Sequence, residues 1–156
     1  MATKLTEHFT IEELTKSATA AENHIDNTPN AEQRAHLQEL CTELLEPLRV
    51  AWGRPIKITS GFRGFRLNEK VKGAKKSAHC AGYAADMIPV GASIAEFKTF
   101  VRTWLHKTGK KYDQYIDEHS GTSQWVHLAV RSQGRLQRKQ DLLYKGGAYT
   151  YLPAMK

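Results

Sequence analysis

Three side chains in two short segments carry the chemistry this sequence can do. His79 and Asp86 lie in Ser77-Ala78-His79-Cys80-Ala81-Gly82-Tyr83-Ala84-Ala85-Asp86, and His127 closes Trp125-Val126-His127. Two imidazoles and one carboxylate form a donor set that Zn²⁺ accepts, with its fourth position left to water. That open position separates a catalytic zinc from a structural one. If the three converge, the chemistry implied is metal-assisted hydrolysis. Two histidines and an aspartate also occur together by chance, and a His beside an aromatic is ordinarily a surface or core residue. No HExxH helix and no pair of Cys couplets offers a more compact zinc signature.

The reading depends on the elements that bring the two segments together. Ala84 to Pro89 reads as a short strand closed by Pro, with Gly82 and three alanines allowing close packing at its entry. A ligand entering that strand and another on it can face one ion. Around the third ligand, Val126, Leu128 and Val130 alternate with Trp125, His127 and Ala129, the pattern of a half-buried strand. The aliphatic face goes to the core, so His127 points the other way.

The remaining elements follow from pattern. Thr10 to Glu13 forms a capping box that opens a helix over Ile11 to Ser17. Asn30, with Gln33 after it, caps a helix whose apolar stripe is Leu37, Leu40, Cys41, Leu44, Leu45 and Leu48. Pro47 should kink that helix or end it early. Pro55 to Thr59 alternates as a strand, and Ser60-Gly61 turns out of it, leaving Arg63 just past its end. Phe62 to Val71 is a candidate helix, and residues 72–76 a loop. Ser93 with Glu96 opens a helix faced by Ile94, Phe97, Phe100, Val101, Trp104 and Leu105, and Gly109 ends it. Later strands are expected over Tyr112 to Asp117 and Trp125 to Val130, with a tail strand around Ala148 to Leu152. Helices come first and strands cluster late, which predicts an α+β fold: a small central antiparallel sheet with helices packed on it.

Taken jointly, Ser60-Gly61-Phe62-Arg63, Leu67-Asn68, Val71-Lys72-Gly73, Ser77-Ala78-His79, Gly82, Ala84 and Asp86 resemble the D-alanyl-D-alanine carboxypeptidase family of zinc metallopeptidases, which includes phage endolysins. The likeness starts at His8-Phe9-Thr10, runs through Asn27-Thr28-Pro29 and Leu45-Glu46-Pro47-Leu48-Arg49, and ends near Trp125-Val126-His127. It implies a hedgehog/DD-peptidase-like fold over residues 1–156, zinc ligands His79, Asp86 and His127, and substrate contacts from Arg63 and Ser77. It implies hydrolysis of peptidoglycan stem peptides by a phage-type enzyme, either free or carried in a virion, with carboxypeptidase and endopeptidase action both open. One position departs from the family. Several members carry an acidic general base three residues before the last His, where this chain has Gln124. Relatives of the phage type often have an acid at the end of the preceding strand, which makes Glu118 the candidate base and Asp117 its neighbour. Arg66 competes with Arg63 for the substrate carboxylate.

Composition bounds the alternatives. A chain of 156 residues is the size of one domain and buries about two-thirds of its unfolded surface. Its two cysteines, Cys41 and Cys80, fit a reducing compartment. Cys80, beside His79, is either a packing residue or a stray metal ligand. The N-terminus shows no signal peptide and no segment is long enough to span a bilayer. The expected location is the cytosol at synthesis, with action on the wall after release, and the expected state is a monomer. A net charge of +7 suits a solvated basic face or anionic envelope polymers. A nucleic-acid binder is the weaker reading, because no reading motif is present. A zinc-containing wall-binding domain without catalysis is the closer alternative, sustained by Gln124.

Overall fold

The computed structural model describes residues 3–155. Its elements begin where the capping chemistry places them. After a two-strand ribbon, β1 (Lys4–Thr6) and β2 (Phe9–Thr10), the Thr10 hydroxyl accepts from the Glu13 N–H at 3.2 Å, and the Glu13 carboxylate accepts from the Thr10 N–H at 3.0 Å. This reciprocal pair opens α1 (Ile11–Thr15). Ser17 caps a further short helix, α2 (Ala18–Glu22), and Asn30 with Gln33 makes a second reciprocal cap for α3 (Ala31–Leu40).

Pro47 does not stop the long helix. The turn before it, Cys41–Leu45, is widened so that the Glu46 N–H donates to the Cys41 carbonyl, five residues back. A π turn of this kind relieves the crowding a proline imposes on an α-helical ladder. The helix therefore continues as α4 (Glu46–Trp52) and ends at Gly53 in the left-handed conformation, φ +75°. The whole apolar stripe from Leu37 to Leu48 is buried.

Among the described residues six strands form the main sheet: β3 (Ile56–Ser60), β4 (Ala84–Pro89), β5 (Gln114–Ser120), β6 (Ser123–Ala129), β7 (Gln140–Lys145) and β8 (Ala148–Tyr151). Their order is β3-β4-β6-β5-β7-β8. All neighbours are antiparallel except β5 and β7. The sheet is thus mixed, where the sequence pattern pointed to antiparallel pairing throughout. The reason is the return loop, residues 130–139, which leaves the end of β6 and crosses the start of β5 before entering β7. Arg138 fastens this loop to the buried Asp113 with a bidentate pair, Nε–Oδ1 2.8 Å and Nη2–Oδ2 2.9 Å.

Between the strands lie α5 (Phe65–Lys70) and α6 (Ile94–Lys107). One face of the sheet presents Ala85, Met87, Tyr115, Val126 and Leu128 to a core that also holds Leu37, Leu44, Leu48, Phe97 and Val101. Because side chains alternate along a strand, the other face is left to Asp86, Glu118, Trp125 and His127. No helix among the described residues is long and apolar enough to cross a membrane.

Candidate metal centre and its cleft

Asp86 on β4 and His127 on β6 are direct cross-strand partners. His127 Nδ1 lies 2.9 Å from Asp86 Oδ1. His79 arrives from a short 3₁₀ turn, Ala78–Ala81, whose entry is capped by the Ser77 hydroxyl accepting from the His79 N–H at 3.2 Å. Gly82 leaves that turn at φ +86°, and a Cβ there would meet the Gln33 carbonyl oxygen at 2.6 Å. Only glycine fits the exit. His79 Nε2 then stands 3.2 Å from the same Asp86 oxygen.

The donor chemistry fits a zinc ion. His79 Nδ1 lies 2.7 Å from the Gly61 carbonyl. A carbonyl only accepts, so Nδ1 carries the proton and Nε2 keeps its lone pair for a metal. The three donor atoms all lie within 4.8 Å of one another, on three buried residues. Tetrahedral zinc with bonds near 2.0–2.1 Å separates its donors by roughly 3.3 Å, close to the spacings found. Cys80 is not part of this group. It is half-buried and lines a separate hollow with Gln33 and His36.

The electrostatics favour the binding forms of Asp86 and His79. Burial disfavours charge on Asp86, but His79 and His127 outweigh it and hold the carboxyl well below the usual range. Burial pulls His79 below the ordinary imidazole value. On His127 burial acts the same way, but the hydrogen bond and charge of Asp86, together with Glu118, raise it.

These residues floor a cleft of about 440 Å³ that also contains Arg63, Ser77, Glu118 and Trp125. Glu118 and Trp125 are cross-strand partners, and the Trp125 indole N–H donates to Glu118 Oε2 at 2.6 Å. Burial raises the Glu118 pKa, with the charge of Asp86 adding to it, against the pull of His127, Trp125 and Arg63. A carboxylate raised in this way is suited to taking a proton near neutral pH. Arg63 lies beside the metal donors, with its Nε buried and without a hydrogen-bond partner. It makes no ion pair among the described residues. Arg66 sits instead in a separate hollow with Asn23 and Glu69.

Asp117 and Gln124 stand on the opposite face. Lys98 of α6 pairs with Asp117 at 2.6 Å and donates to the Gln124 side-chain oxygen. Strand alternation therefore separates both from the metal donors, although Gln124 is only three residues from His127.

The sequence did not single out Gly61 as a partner of His79, Trp125 as a partner of Glu118, or Tyr144 and Tyr149 in the cleft. The Trp125–Glu118 pairing follows from the two-residue turn at Gly121-Thr122, once its length is known. A family model described as Peptidase M15 matches residues 7–129. The chain belongs to the peptidase M15 family. A search of curated proteins returned no match.

Proposed function

We propose that this protein is a zinc-dependent peptidase that hydrolyses the stem peptides of bacterial peptidoglycan in the manner of an endolysin. The observation that carries the reading is the buried His79, Asp86 and His127 donor set beside Glu118 in one cleft, in a chain of a peptidase family. His79, Asp86 and His127 hold the ion, which when bound polarises the scissile carbonyl and lowers the pKa of water to about 7.

The chain's own groups supply the rest. Glu118, oriented by the Trp125 indole, takes a proton from the attacking water and delivers it to the leaving amine. Arg63, half-buried and without an acidic partner among the described residues, holds a substrate carboxylate. Ser77, whose hydroxyl accepts from the His79 N–H, donates its own proton to a substrate oxygen. The likeness noted in the sequence points to peptidoglycan, and the net charge of +7 suits an anionic envelope.

The non-catalytic wall-binding alternative rests on Gln124. That support weakens once Gln124 is seen facing α6, because the residue does not occupy the place a base needs. The test is mass spectrometry of fragments released from purified peptidoglycan by the zinc-loaded protein. New amino and carboxyl termini within the stem support hydrolysis. Binding to the wall with no new termini supports the alternative.

A further inference from the structure

The metal-bearing face of the sheet does not stop at Glu118. Register carries one row of side chains across four strands: Trp125 pairs with Glu118, Glu118 with Tyr144, and Tyr144 with Tyr149. All four line the cleft. The two tyrosine rings lie 4.6 Å apart, centroid to centroid, and tilted by 50°. Tyr149 leaves 57 % of its surface exposed, a large area for an aromatic ring. Burial, then the charges of Glu118, Tyr144 and Asp86, raise the Tyr149 hydroxyl, which fits an orientation toward the site. The hairpin that carries both rings begins at Gln140, beyond residue 129 where the family match ends.

The sheet order fixes where this wall stands. Arg63 follows β3 at one edge, Asp86 and His127 are on β4 and β6, Glu118 is on β5, and the tyrosines are on β7 and β8. Strands lie about 4.8 Å apart, so β8 is roughly 14 Å from His127. An extended peptide covers that distance with about four residues. A substrate with one residue on this side of the scissile bond would leave both rings idle.

We infer that Tyr144 and Tyr149 form a subsite for the stretch of peptide on the far side of the scissile bond from the carboxylate held by Arg63, and that the enzyme prefers a substrate extended in that direction. Tyrosine suits an extended peptide, since its ring packs on methyl and methylene groups while its hydroxyl bonds backbone amides. The inference rests on the peptidase reading and adds a direction and a length to the substrate.

The experiment crosses enzyme variants with substrate truncations. A stem-type peptide is shortened one residue at a time from each end, and kcat/KM is measured for wild type, Tyr149→Ala and Tyr144→Leu. Tyr149 is exposed and Tyr144→Leu keeps apolar volume, so both variants should fold, as circular dichroism would verify. Truncation from one end alone should lower wild-type kcat/KM roughly ten-fold or more, the effect of losing an aromatic anchor. Tyr149→Ala should show that loss on the full-length peptide and no further loss on the truncated one. Equal losses on long and short peptides would overturn the subsite while leaving the peptidase reading intact. Calorimetric binding of the full-length peptide gives a readout without turnover: Tyr149→Ala should weaken it by a similar factor. Unchanged binding overturns the subsite. Normal, tyrosine-dependent binding without cleavage supports the subsite and overturns only the peptidase reading.

Discussion

Trp125 donates its indole N–H to Glu118, the residue directly across the β5–β6 hairpin, at 2.6 Å. The bond fixes one carboxylate oxygen on the face of the sheet that carries Asp86 and His127. Glu118→Gln should keep the fold and the zinc but lower turnover by roughly 10²–10⁴-fold, the usual share of general acid–base catalysis. Adding Gln124→Glu to that variant should restore nothing, because residue 124 meets Lys98 on the other face. Steady-state hydrolysis and zinc content of the single and double variants check this. Recovery of rate in the double variant would place the proton acceptor on the wrong side of the sheet and refute the assignment.

Asp86 shares one oxygen between His79 Nε2 and His127 Nδ1, so removal of any of the three leaves two donors. His79→Ala, Asp86→Ala and His127→Ala should each abolish stoichiometric zinc after dialysis, measured by elemental mass spectrometry. Zinc should also raise the melting temperature of wild type and not of the variants, because a ligand stabilises the state it binds. Affinity should decline in acid, where protons compete for the imidazoles. Full occupancy in His127→Ala would remove His127 from the site.

Much of this architecture is legible in the sequence. Caps at Thr10, Asn30 and Ser93, the stripe from Leu37 to Leu48, and the alternation around His127 are local signals, and the fold uses them where they fall. β4 matches its expected span, Ala84 to Pro89. Local signals failed at β7. Leu142 and Leu143 are adjacent apolar residues, and Asp141 points inward to Arg102, His106 and Tyr112. An inward carboxylate breaks the period of two that marks a half-buried strand. The side of the sheet taken by Gln124 was illegible for a different reason. Alternation sets it only where the strand runs, and β6 begins at Ser123, two residues before the expected start at Trp125.

Asp141 also gives the stability a pH signature. Burial would raise its pKa, but hydrogen bonds from Tyr112, Arg102 and His106 outweigh burial and lower it. A carboxylate depressed in the folded state contributes stability that is fully present above its unfolded value, about 3.9, and is lost as pH falls through its folded value. Asp141→Asn should therefore cost about 2 kcal/mol at neutral pH, the scale of a charged hydrogen bond. The gap between variant and wild type should close in acid, below the unfolded carboxylate range. Urea denaturation of both proteins from pH 7 downward measures the gap. A constant gap would mean that Asp141 acts through packing alone.

Gly61 joins the backbone of Leu14 to His79. A Cβ at this position would lie 2.2 Å from the Leu14 carbonyl oxygen and 2.8 Å from its carbon, both backbone atoms that cannot rotate aside. The same Leu14 oxygen accepts from the Phe62 N–H at 2.7 Å, so moving it would also break that bond. The Gly61 carbonyl, in turn, receives His79 Nδ1 and leaves Nε2 facing Asp86. Gly61→Ala should thus cost about 1–3 kcal/mol of stability by overpacking and weaken zinc by roughly 10–100-fold through the displaced partner of His79. Gly134→Ala is the control: a Cβ there meets only Ser132 Oγ, at 3.7 Å, and should be silent in both measurements. Chelator competition and thermal denaturation on the two variants decide the matter. If Gly61→Ala binds zinc as tightly as wild type while losing stability, the glycine serves packing and the His79 tautomer is set elsewhere.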